Sequence, residues 1–87
     1  MSIIISDIRM KHASLTPAQC RAARALLNWS QAALAEKAEV AKQTLTDFER
    51  GARQPYPRTL ADIRAALEAA GVEFTNGDAP GVRMKKR

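Results

Sequence analysis

A single cysteine, Cys20, cannot close an internal disulfide and fits a reducing compartment. Aromatic residues are nearly as scarce, with two Phe, one Tyr and one Trp. So few stacking surfaces argue against a platform for single-stranded nucleic acid. One histidine, no glycine-rich phosphate loop and no metal-spaced cluster leave an enzyme without its usual groups. No catalytic residue, metal ligand or cofactor is therefore expected, and Glu36, Glu39 and Asp47 read as surface charges. No apolar run is long enough to span a bilayer, and Ile3-Ile4-Ile5 is too short for a signal-peptide core. The cytoplasm is the expected setting, with no membrane partner.

What the chain does have is basic charge. Fourteen Lys and Arg against nine Asp and Glu leave a net charge of +5, which favours a polyanionic partner. Its 87 residues form one small domain whose core alone would be marginal, so a homodimer is expected on stability grounds.

The segment Ser30 to Gly51 organises the rest. Ser30 is a good N-cap for an alanine-rich helix over about Gln31 to Ala38 that carries Leu34 inward. The pattern breaks near Glu39-Val40 and restarts as a second short helix ending at Gly51, a natural left-handed residue past a helix end. Two helices joined by so tight a turn make a helix-turn-helix. At roughly 100° per residue, with Lys42 at zero, Leu45 and Phe48 fall near 300° and 240°. Lys42, Gln43, Thr46, Asp47 and Arg50 occupy the span from zero to about 140°. One face is an apolar anchor; the other carries groups of the kinds that read base edges in a major groove.

Before this unit, residues 1–13 lack helical periodicity and read as an arm or a short strand through Ile3 to Ile5, with His12 solvated. Thr16, Pro17 and Gln19 mark a helix start with a capping box, running to about Leu27 and burying Ala23, Leu26 and Leu27. Leu15 and Cys20 take the hydrophobic-staple positions, which makes Cys20 a small buried apolar group. Trp29 reads as a core plug with a hydrogen-bonded indole. After Gly51, Pro57 opens a helix with Leu60, Ile63, Leu67 and Ala70 on one face. Gly71 ends it. Val72-Glu73-Phe74 and Val82-Arg83-Met84 alternate as a small hairpin around a turn at 76–81, followed by a basic tail.

This ordered set is similar to the phage-repressor (Xre/Cro-type) helix-turn-helix family. The matching residues are Ser30-Gln31, Leu34-Ala35, Val40, Thr44 to Phe48, Glu49-Arg50-Gly51, Pro55, Thr59-Leu60 and Gly71-Val72. The resemblance covers about Thr16 to Val72. It implies a mainly α, compact, lambda-repressor-like DNA-binding domain of four to five helices, with a short C-terminal β-hairpin. The expected organisation is an arm at 1–13, the helix-turn-helix domain at 14–72, and the hairpin with its tail at 73–87.

The resemblance assigns Gln31 a phosphate contact, and it implies an Arg24–Glu49 ion pair across the core edge. Phosphate anchors are also expected at Thr44, Arg50, Arg53 and Arg58, with base reading by Gln43, Asp47, Lys42 and Thr46. The chain departs from the family at Glu39, where the turn usually carries Gly, and at Ala41, where the next helix usually has a Ser or Thr cap. The function implied is that of a double-stranded DNA-binding regulator, a small repressor or autoregulator. The size also suits an antitoxin, and a protein-interaction module reusing the fold is the alternative from another class.

Overall fold

The computed structural model describes residues 15–75 and 80–85. The expectations for residues 1–13, for the turn at 76–79 and for the last two basic residues lie outside the described residues.

Four helices and a two-stranded sheet follow in order: α1 Pro17–Leu27, α2 Gln31–Ala38, α3 Lys42–Glu49, α4 Pro57–Ala69, β1 Val72–Thr75 and β2 Gly81–Met84. The protein is a mainly α domain with a short C-terminal hairpin.

Local chemistry explains the boundaries. The Thr16 hydroxyl accepts from the Gln19 backbone N–H at 3.0 Å, and Gln19 Oε1 accepts from the Thr16 N–H at 3.0 Å, closing the capping box. Ser30 caps α2 by accepting from the Ala33 N–H at 3.0 Å. Ala41 stands at the start of α3 with no side-chain cap.

At the other ends, α1, α2 and α3 stop at left-handed residues: Asn28 (φ 58°), Glu39 (φ 58°) and Gly51 (φ 76°). At each stop the N–H of the left-handed residue and that of the residue after it return to carbonyls of the helix's last turn. After α3, for example, Gly51 N–H meets the Phe48 carbonyl at 3.0 Å and Ala52 N–H meets that of Asp47 at 2.9 Å. A Cβ at Gly51 would meet nothing within 4 Å, so the glycine is there for its backbone angle rather than for space. Glu39 holds the same conformation with a side chain, at a cost of about 1 kcal/mol.

The core lies where α2 and α3 meet α1 and α4. Its fully buried side chains include Leu34, Leu45, Phe48, Ile63, Leu67 and Val72. The hairpin is antiparallel, with Val72 opposite Met84 and Phe74 opposite Val82 on the inward face, and Glu73 opposite Arg83 on the other. Val72 joins the core, Phe74 and Val82 pack against it, and the Arg64 guanidinium lies 5.1 Å above the Phe74 ring. Gln19 ties α1 to the hairpin: its Nε2 donates to the carbonyls of Thr75 and Gly81, both at 3.1 Å. Those two residues are a register pair, so one buried amide holds both strands at the turn end.

Two expectations need correcting. Leu26 is 44% exposed, because α1 turns its Cys20 and Ala23 side to the core and leaves Leu26 on the far flank. Trp29 is half-buried rather than a plug: its ring packs against the core on one side and under the Lys37 ammonium, 5.8 Å away, on the other. Its indole makes no hydrogen bond among the described residues; the backbone carbonyl does the polar work, accepting from Arg24 Nη1 at 3.1 Å.

Candidate nucleic-acid interface

Helix α3 is held from one side only. Leu45 and Phe48 are buried against the core, each contributing about 2 kcal/mol of apolar burial. Lys42, Gln43 and Arg50 are exposed on the opposite face, and Thr44, Thr46 and Asp47 are half-buried along its edges.

The third anchor of α3 is Glu49, a carboxylate that is only 2% exposed. Four donors from two other helices meet it. Oε1 accepts from Arg24 Nη2 at 2.7 Å and from Gln31 Nε2 at 3.0 Å. Oε2 accepts from Arg24 Nε at 2.8 Å and from Cys20 Sγ at 3.1 Å. The Arg24 contact is thus bidentate, the strongest geometry for this pair. Arg21 Nη1 donates to the Glu49 backbone carbonyl, placing positive charge at the C-terminal end of α3.

The electrostatics follow from that set. Burial works against the Glu49 charge and is the largest influence. The hydrogen bonds from Arg24, Gln31 and Cys20 outweigh it and hold the carboxyl below its ordinary pKa. The hydrogen bond to Glu49 raises the Arg24 pKa in return. Burial, then the bond to Glu49, pushes the Cys20 thiol well above its usual range, so it stays a protonated donor.

The network continues toward the outer face. Gln31 stands at the first position of α2, and its Oε1 accepts from the Thr46 hydroxyl at 2.9 Å. The Gln31 amide therefore links the Glu49 cluster to the edge of the polar face. On that face, Asp47 Oδ1 accepts from Gln43 Nε2 at 2.9 Å and from Arg50 Nη2 at 3.4 Å.

The loop after α3 carries Arg53, and Arg58 lies in the first turn of α4; both are exposed. Thr44, Arg53, Gln54, Pro55, Tyr56 and Thr59 line a groove of about 420 Å³ between α3 and the start of α4. The structure thus brings Gln31, Thr46 and Glu49 into one cluster and Gln43, Asp47 and Arg50 into another. It sets Thr44 and Arg53 on one groove, while Lys42 and Arg58 make no polar contact among the described residues.

Sequence reasoning missed Cys20 and Arg21 as polar participants, and found the capping role of Gln19 but not its bonds to the hairpin. A signal existed for the first: Cys20 and Arg24 are four residues apart on a helix and must share a face. Nothing local pointed to Arg21 or to the second role of Gln19.

Two helices joined by the three-residue turn 39–41, the second showing a polar face that the described residues leave exposed, define a helix-turn-helix domain. Residues 21–73, more than half of the chain, match a family model described as helix-turn-helix (HTH_3), and the chain belongs to this Xre/lambda-repressor-like family. It is a DNA-binding helix-turn-helix regulator by that membership; the family is a regulatory one and not typically enzymatic. None of the curated proteins matches the chain. Among the described residues no helix is long and apolar enough to cross a membrane.

Proposed function

We propose that the protein is a small sequence-specific repressor or autoregulator that binds double-stranded DNA as a homodimer and reads an inverted repeat. The observation that carries this reading is the one-sided seating of α3. Leu45, Phe48 and Glu49 are buried while Lys42, Gln43 and Arg50 are exposed.

In this arrangement α3 enters the major groove. Lys42, Gln43, Thr46 and Asp47 face base edges, with Lys suited to guanine and Gln to adenine. The Thr46 hydroxyl proton is directed to Gln31, so toward the base Thr46 offers an acceptor. Gln31 keeps one amide hydrogen beyond the bond to Glu49, and with the first backbone N–H groups of α2 it meets a phosphate. Thr44, Arg50, Arg53 and Arg58 anchor the backbone on the other side of the groove. Arg24 and Glu49 act indirectly, by fixing the angle at which α3 is presented.

Two-fold symmetry sets the recognition helices about 34 Å apart, so the half-sites lie one turn of B-DNA apart. A purified sample given a random duplex pool will enrich one inverted repeat with that spacing, and log affinity for it will fall steeply with log salt. Gln43→Ala will change base preference more than the salt slope. No enriched sequence, or an affinity indifferent to salt, overturns the reading.

A further inference from the structure

The outer face of α3 contains one carboxylate, and a phosphate-lined groove repels it. Asp47 nevertheless sits at one edge of that face, at about 140° against about 100° for Gln43 and about 80° for Arg50, and about one turn along the helix from each. Its Oδ1 receives Gln43 Nε2 at 2.9 Å and Arg50 Nη2 at 3.4 Å. Its side chain is only 18% exposed while that of Arg50 is 67% exposed, so the neighbouring side chains cover the carboxylate.

An ionised carboxylate accepts hydrogen bonds and donates none. The end of the Gln43 amide that faces Asp47 must therefore be the NH₂ group. An isolated glutamine on a helix surface has no such constraint and presents oxygen or nitrogen with equal ease. With Nε2 directed along the helix to Asp47, Oε1 and the second amide hydrogen are left for the groove in one order.

We infer that Asp47 is a positioning residue for base reading: it orients the Gln43 amide, and through Arg50 it offsets its own charge. This deepens the DNA-binding reading above and rests on it. Gln43 then meets a base pair with a fixed sequence of acceptor and donor. That order suits adenine, whose N6 donates and N7 accepts, on one strand and not on the other. Orientation is set before DNA arrives, which lowers the entropy lost on binding.

The test uses the site selected by the full chain. Affinities are measured for duplexes carrying each base pair at every position, with wild type, Gln43→Ala, Asp47→Ala, Asp47→Asn, Asp47→Glu and the Gln43→Ala/Asp47→Ala double variant. Gln43→Ala identifies the base pair that Gln43 reads, as the position where preference disappears. At that pair, Asp47→Ala and Asp47→Asn each reduce preference by about fivefold or more, since neither leaves an obligate acceptor. Asp47→Glu keeps a carboxylate one turn away and retains most of the preference. The double variant behaves there like Gln43→Ala alone.

Ratios between base pairs cancel the uniform gain in affinity from removing a negative charge, so charge and orientation separate. Loss of preference in Asp47→Ala only at a different base pair, with the Gln43 pair unaffected, would mean that Asp47 acts as a reader alone, and the inference fails. Unchanged preference at the Gln43 pair also sinks it while leaving DNA binding intact. If wild type selects no site, the DNA-binding reading fails and this inference falls with it.

Discussion

Helix α3 carries two carboxylates only two residues apart, and they live in opposite environments. Glu49 points inward, is 2% exposed, and takes four hydrogen bonds from α1 and α2. Asp47 points along the outer face and takes its two hydrogen bonds from its own helix. The first carboxylate fixes where the helix sits; the second shapes what the helix shows. The difference comes from desolvation. A charge removed from water needs every lone pair answered, so its partners must come from several elements and become a structural commitment. A charge at the edge of an exposed face keeps some contact with water, so neighbouring side chains suffice as partners and little fold stability depends on them.

The largest effect should come from breaking the inner side. Glu49→Ala leaves Arg24, Gln31 and Cys20 without their shared acceptor and should destabilise the fold by about 3–5 kcal/mol in urea unfolding. Asp47→Ala, by contrast, should change stability by no more than about 0.5 kcal/mol. Equal losses from the two would erase the distinction. Arg24→Ala sits between them, and it should lower DNA affinity in the folded protein although Arg24 has no place against DNA. Unaltered affinity there would show that the ion pair does not orient α3.

A pH scan sharpens the same contrast. The Glu49 pKa is depressed in the folded protein below its ordinary 4.5. Between the folded and unfolded values the unfolded chain binds more protons, so stability rises with pH there. The contribution is fully present above about 4.5 and is lost as pH falls through the folded value. Urea midpoints taken from neutral pH down to pH 3 should show this loss in wild type. The corresponding part of the slope should be missing in Glu49→Gln. A Glu49→Gln protein that keeps the full acid slope would place the responsible carboxylate elsewhere.

Modest gains in stability are expected from the turn that delivers α3. Ala41→Ser supplies a missing cap and should add about 0.5–1 kcal/mol. Glu39→Gly relieves the left-handed strain and should add about 1 kcal/mol or less, because glycine also gains freedom in the unfolded chain. Both changes stabilise the turn without touching either carboxylate, so base preference should stay as it is. Destabilisation by Ala41→Ser in a thermal melt would contradict the assignment of Ala41 as the cap position.

Much of this molecule is decided by near neighbours in the chain, and those features were legible from sequence. The Thr16–Gln19 capping box, the Ser30 cap, the uncapped Ala41, the left-handed Glu39 and Gly51, and the inward Leu45 and Phe48 depend on residues within a turn or two. Helix periodicity and terminal hydrogen bonding act over that range. The family resemblance implied Arg24 as a partner of Glu49, but tertiary structure alone decided that Cys20 and Gln31 would join it, since they lie 29 and 18 residues away and are gathered only by packing. It also decided that Gln19 would close a hairpin 56 and 62 residues downstream, and that Leu26 would remain outside. A buried polar group takes whatever partner the fold brings within about 3 Å, and no local pattern encodes that meeting.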